Sequence, residues 1–151
     1  MATAVFVDTN VLVYADDLAD PRRQAVALDV LSRIEPGEVV LSSQVLSEYA
    51  NVLTHPAKCA KSTSEAVEGV RRMMTSWRVV PVDAGVVIAA LEARERWGLS
   101  YYDAQIWAAA ARNAVALVLT EDFADGLVLG PVRFADPFAS GFDLDAELAR
   151  G

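Results

Sequence analysis

The chain of 151 residues has one cysteine, Cys59, and one histidine, His55. A lone cysteine excludes an internal disulfide, and with it the cross-linked framework of small secreted folds. His55 has no partner histidine at metal-ligand spacing and precedes Pro56, so it reads as a surface residue at a helix end. Cations are scarce: 13 Lys and Arg stand against 21 Asp and Glu, a net charge of −8. That is an awkward balance for a nucleic-acid binder, since phosphate contacts need positive charge. It is less awkward where many acids sit in a metal site or meet a basic partner. No apolar run approaches the roughly 18 residues of a membrane-spanning helix. Met1-Ala2-Thr3 has no basic stretch ahead of an apolar core, as a secretory signal would. The expectation is a soluble, cytoplasmic protein with no membrane partner. A P-loop, a Gly-rich dinucleotide fingerprint and a Ser or Cys nucleophile elbow are all missing. So are repeats, low-complexity tracts, linkers and Asn-Gly hairpin signals.

What is present is a hydrophobic content of 54%, ample for a packed core. The length suits a single domain, residues 1–151. Unalternating apolar runs mark strands at 4–7, 39–41, 79–82 and 116–119, with a short fifth at 132–134. Pro81 places the third at a sheet edge. Between them lie helices: a short one opening at Thr9-Asn10, then about 21–35, 43–54, 63–77, 84–97 and 101–113. Leu28, Leu31 and Ile34 form the inward stripe of the second, and Val67, Val70, Met74 and Trp77 that of the fourth. Strands alternating with helices predict an α/β fold, a Rossmann-like three-layer α/β/α arrangement with a parallel sheet of about five strands.

In open parallel sheets, ligands bind beyond the carboxyl ends of the strands. Asp8 ends the first strand, in Ala4-Val5-Phe6-Val7-Asp8-Thr9-Asn10, and Glu121-Asp122 ends the fourth. Glu48 lies early in the helix after the second strand. Asp103 opens the helix that leads into the fourth, and such a crossover helix starts at the same rim. Topology alone thus gathers the acids at one crevice. Two carboxylates about 4 Å apart repel by roughly 4 kcal/mol at an effective dielectric of about 20. Either some are protonated or a cation binds. An all-oxygen set favours Mg²⁺ or Mn²⁺ over zinc. Such an ion lowers the pKa of water and polarises a phosphoryl oxygen, so phosphodiester hydrolysis is the natural chemistry.

The four segments Asp8-Thr9-Asn10, Ser47-Glu48-Tyr49, Tyr102-Asp103-Ala104 and Leu119-Thr120-Glu121-Asp122 resemble, in order and spacing, those of PIN-domain ribonucleases. Among these the resemblance is to the VapC-type toxins of bacterial toxin–antitoxin pairs, and it spans nearly the whole chain. It implies a Mg²⁺- or Mn²⁺-dependent endoribonuclease, a homodimer, an RNA substrate and inhibition by a small antitoxin protein. Carried over by position, Asp8, Glu48, Asp103 and Asp122 form the acidic quartet. Asp8 and Asp103 hold the metal most directly, with Glu121 or Asp122 beside them; Asn10, Thr120 and Thr9 support. The compact Thr120–Gly126 segment departs from many members and leaves open which of Glu121 and Asp122 meets the metal.

Taken singly, each acid has a plainer explanation. Asp8 and Asp122 suit helix caps or turns, Ser100 and Asp103 fit a capping box, and Glu48 suits a solvated helix face beside Gln44 and Asn51. Asp83 follows the edge strand and reads as an N-cap only. Asp136 before Pro137 reads as a turn residue, and Asp16, Asp17 and Asp20 as a solvated loop. The candidate RNA contacts Arg22, Arg23, Lys58, Lys61, Arg71, Arg72 and Arg112 are scattered. Trp77, Trp97 and Trp107 fit packing positions on the core or a dimer surface. Two rival functions remain. One is a non-catalytic binding module whose acidic face holds a basic partner. The other is a phosphoacceptor domain, but Asn10 stands where a phosphatase of that type wants a second acid.

Overall fold

The computed structural model describes residues 3–150; the readings of Met1, Ala2 and Gly151 lie outside it. Six strands form one sheet: β1 (Val5–Val7), β2 (Val39–Ser42), β3 (Arg78–Val80), β4 (Leu117–Leu119), β5 (Val128–Leu129) and β6 (Val132–Ala135). Their order is β3-β2-β1-β4-β6-β5. Every neighbouring pair is parallel except β5 with β6. Strands β1, β2 and β4 are buried along their whole length, which is why they read as unbroken apolar runs.

Among the described residues seven α-helices flank the sheet: α1 (Thr9–Asp16), α2 (Pro21–Arg33), α3 (Ser43–Thr54), α4 (Thr63–Ser76), α5 (Ala84–Trp97), α6 (Tyr101–Arg112) and α7 (Leu144–Ala149). Short polar side chains start them. Ser42, Ser62, Asp83 and Ser100 each accept a hydrogen bond from a first-turn amide of the helix that follows. Gly98 ends α5 in the left-handed region at φ +69°, where only a residue without a Cβ sits at ease. Helix α1 packs against α2 and α3, α3 against α4, and α5 against α6.

The α/β fold is as expected, and three details differ from the reading of the chain. The sheet has six strands because β5 and β6 form a hairpin that carries no Asn-Gly signal. Gly130 makes its turn at φ +55°, followed by Pro131; the positive φ is the physical requirement, and Gly-Pro met it. On α2 the buried residues are Ala27 and Val30, continued by Ile34 at the C-cap, whereas Leu28 is 51% exposed. On α4 the buried residues are Ala66 and Gly69, whereas Val67 and Met74 face solvent. There Gly69 lies against the Tyr49 ring, so the small residue sets which face turns inward. The third strand is at the sheet edge as its proline required, with Pro81 just beyond Val80.

Candidate active site

From β1 the chain builds β2 and β3 outward on one side, then returns to lay β4 on the other. The order therefore reverses between β1 and β4, where an open parallel sheet has its crevice. Asp8 follows β1 directly and Thr120-Glu121-Asp122 follows β4 directly. The two ends are tied by Asp8 N–H donating to Leu119 O at 3.0 Å.

Asp8 is 4% exposed. Its Oδ1 accepts from the Thr9 amide at 2.7 Å and its Oδ2 from the Thr120 hydroxyl at 2.8 Å. Burial pushes its carboxyl up from 3.8 to about 7; those two hydrogen bonds oppose the rise, and the charges of Asp122 and Glu48 add to it. Asn10 bridges the β4 end. Its Nδ2 donates to Thr120 Oγ1 and to Asp122 Oδ2, both at 3.1 Å, and its Oδ1 accepts from the Glu121 amide at 3.3 Å. The assigned supporting residues Thr9, Asn10 and Thr120 are thus all in direct contact with the acids.

Glu48 projects from α3 into the same rim. Its Oε2 accepts from the Thr9 hydroxyl at 3.0 Å and its Oε1 from Gln44 Nε2 at 2.7 Å. Behind it, the buried Gln105 of α6 donates through Nε2 to Gln44 Oε1 at 2.7 Å. This glutamine relay was not anticipated as part of the site. The i, i+4 spacing of Gln44 and Glu48 on α3 is the one sequence signal for it. Asp103 sits in the first turn of α6, its amide donating to Ser100 Oγ. Burial raises its carboxyl above the ordinary value, the Ser100 hydrogen bond opposes, and the charges of Asp122 and Glu48 add to the rise. Asp8, Glu48, Asp103 and Asp122 therefore lie in one electrostatic neighbourhood.

Glu121 turns elsewhere. Its Oε1 accepts from the Tyr14 hydroxyl at 2.8 Å, and its Oε2 lies 3.5 Å from Arg23 Nε. The Arg23 guanidinium covers the rings of Tyr14 and Phe138. Arg23, a candidate RNA contact, is thereby engaged with Asp20 and Glu121. Burial and the Glu121 carboxylate push the Tyr14 phenol up to about 12. Asp122, exposed and bonded to Asn10, is the member of the pair that faces the other acids.

The remaining decoys behave as structural residues. Asp83 caps α5, and Asp136 Oδ1 accepts from the Phe138 amide. His55 Nδ1 accepts from the Ala57 amide. Trp97 and Trp107 pack edge to face at 4.9 Å. Asp16 departs from expectation. It ends α1 and accepts the Tyr49 hydroxyl at 2.6 Å.

The donor set suits a hard divalent cation: carboxylate oxygens only, Asp8 desolvated, and no Lys or Arg within ion-pair distance of the quartet among the described residues. Among those residues no three acids already converge into a metal-holding group. Asp8, Glu48 and Asp122 are instead each held by their own hydrogen bonds.

The PIN domain family model matches residues 5–124. Comparison with curated proteins finds no match. Several solved structures share the fold. VapC20 from Mycobacterium tuberculosis, a sarcin–ricin-loop-cleaving toxin, superposes with a TM-score of 0.64 at 24% identity, over 76% of this chain and 87% of its own. A toxin–antitoxin complex from Klebsiella pneumoniae gives 0.66 at 17% identity, over 90% and 98%. VapBC2 from Rickettsia felis, bound to promoter DNA, gives 0.60 at 17% identity, over 89% and 98%.

Proposed function

The chain belongs to the PIN-domain family, and on that premise we propose that it is a Mg²⁺- or Mn²⁺-dependent endoribonuclease of the VapC toxin type. Its natural state is a cytoplasmic homodimer restrained by a small antitoxin protein. The observation that carries the reading is the quartet itself: Asp8, Glu48, Asp103 and Asp122 share one rim at the sheet's reversal point, with no Lys or Arg in ion-pair distance among the described residues. The toxin and toxin–antitoxin structures that share the fold support the toxin assignment and the antitoxin partner.

Asp8, Asp103 and Asp122 are the residues that would hold the cation. When bound it supplies positive charge for the scissile phosphate and acidifies water. The protein's own groups do the positioning. Thr120 and the Thr9 amide fix both oxygens of Asp8. Asn10 fixes Asp122 against the β4 end. Glu48, with one lobe held by Thr9 and the other by Gln44, is placed to accept a proton from the attacking water or to steady it. Glu121 is withheld by Tyr14 and Arg23.

The test is cleavage of a mixed RNA pool by purified protein with Mn²⁺ or Mg²⁺, run beside EDTA and beside Asp8→Asn. Cleavage lost in both controls supports the enzyme. Cleavage that persists in Asp8→Asn sinks this site. The second reading, an acidic face for a basic partner, is favoured by one observation: among the described residues no three acids are preassembled for a metal. It predicts no saturable Mn²⁺ binding, and acid substitutions that weaken only the partner contact.

A further inference from the structure

A groove of about 610 Å³ leaves the acid rim between α1 and α3. Both helices begin at the carboxyl edge of the sheet, so both run away from the acids side by side. The α1 wall is Thr9, Asn10, Val13, Tyr14 and Asp17, one face at helical spacing; the α3 wall is Glu48, Asn51 and Val52. Ala57, Lys58 and Cys59 close the far end. From Glu48 to the end of α3 at Thr54 is a rise of roughly 9 Å. The groove thus changes character along its length: acids at the mouth, apolar side chains in the middle, and at the end the Lys58 ammonium group with Asp17 at the close of α1.

We propose that this groove is a nucleotide subsite, in which the RNA residue next to the scissile phosphate lays its base on Val13 and Val52 and its outer phosphate meets Lys58. This rests on the nuclease reading. Lys58 is the one cation lining the groove, and neither its ammonium group nor the Asn51 side chain has a hydrogen-bond or ion-pair partner among the described residues. Asn51 offers both a donor and an acceptor to a base edge. Asp17 also lines this end of the groove; its Oδ1 accepts from the Ala19 amide at 2.9 Å, and among the described residues it makes no ion pair with Lys58. Lys58 gives a chain of charge −8 one positive contact for a phosphate beyond the acid rim, where a bound divalent cation would offset the carboxylates.

The test is binding of a fluorescein-labelled, mixed-sequence single-stranded oligoribonucleotide in Mn²⁺ to the full chain carrying Asp8→Asn, which leaves the strand uncut. Adding Lys58→Ala is expected to raise Kd about five- to tenfold. It should also make the slope of log K against log salt shallower by about 0.7, the increment for one single-strand phosphate contact. Lys58→Arg should restore both values. Arg94→Ala, the same charge change on the exposed surface of α5, should alter neither. With Asp8 intact, Lys58→Ala should raise KM and leave kcat and Mn²⁺ affinity within about twofold. If the protein cleaves RNA yet Lys58→Ala behaves like Arg94→Ala, the subsite is overturned and the nuclease stands. If Lys58→Ala leaves the oligonucleotide unaffected but tightens binding of an oligo-arginine peptide, the groove takes a basic polypeptide and the subsite is again overturned. If the unaltered protein neither binds nor cleaves RNA, both readings fall together.

Discussion

The Thr120 hydroxyl donates to Asp8 Oδ2 at 2.8 Å, and this bond joins the ends of the two central strands. The same oxygen accepts from Asn10 Nδ2 and from the Asp122 amide, both at 3.1 Å. One donor and two acceptor sites are all that a hydroxyl has, and all three are used. Thr120 is fully buried, so water does not replace a lost partner.

Thr120→Val keeps the shape and removes all three bonds. It should cost about 1–3 kcal/mol, read as a lower chemical-denaturation midpoint, and it should weaken Mn²⁺ binding because Asp8 and Asp122 lose their common anchor. Thr120→Ser should recover most of both. An equal loss in the serine variant would mean that the methyl packing matters, not the hydroxyl.

The raised Asp8 carboxyl makes the metal-free protein pH-sensitive. Its folded value of about 7 lies above the ordinary 3.8, so between these values the folded state holds more protons than the unfolded one. Stability from this group is therefore complete below about pH 4 and lost as pH rises through about 7. The raised Asp103 acts in the same direction. In EDTA, Asp8→Asn should raise Tm relative to the unaltered protein at pH 8 and much less at pH 5. A difference that does not change with pH would contradict the shift. Adding Mn²⁺ near pH 6.5 should release a proton, seen as a buffer-dependent heat in calorimetry.

Glu121 and Asp122 should part company. Asp122→Asn should weaken Mn²⁺ about tenfold or more, in line with loss of a charged ligand. Glu121→Gln should leave Mn²⁺ affinity within about twofold and lower Tm by roughly 2–4 °C, through weaker contacts to Tyr14 and Arg23. The opposite pattern would give the metal to Glu121.

The Gln105–Gln44–Glu48 relay should act chiefly on Glu48, since the other Gln44 contact, to Tyr102 O at 3.2 Å, is to backbone. Gln44→Leu leaves Gln105 Nε2 buried without its acceptor and frees one oxygen of Glu48, at a cost of about 1–3 kcal/mol. The expected signature is a lower kcat at unchanged Mn²⁺ affinity. A fall in Mn²⁺ affinity of the size seen for Asp122→Asn would show that Glu48 is a ligand and not a positioned base.

Much of this was legible in the chain. The strand runs 4–7, 39–41 and 116–119 and the caps Asp83 and Ser100 carry their meaning within a few residues, because a cap or a doubly buried strand is a local event. The placing of the acids at one rim also follows, since an acid just after a parallel strand lies at its carboxyl edge whatever the strand's neighbours are. The hairpin at Gly130-Pro131 was missed because its signal is a single positive φ. The exposed Val67 and Met74 were misjudged because apolar spacing marks a stripe without saying which side faces the sheet.

The sequence by itself therefore determined most element types, the largely parallel α/β architecture and the edge of the sheet at which the acids stand. Only the tertiary structure decided the strand order that sets β1 beside β4, and which acid of Glu121-Asp122 turns inward. That choice rests on Tyr14 and Arg23, roughly a hundred residues away along the chain. Their hydrogen bond and charge hold Glu121 to α1 and α2, while Asn10 holds Asp122 at the rim. Contacts at such separation leave no periodicity to read; they exist only once the sheet has brought the two ends together.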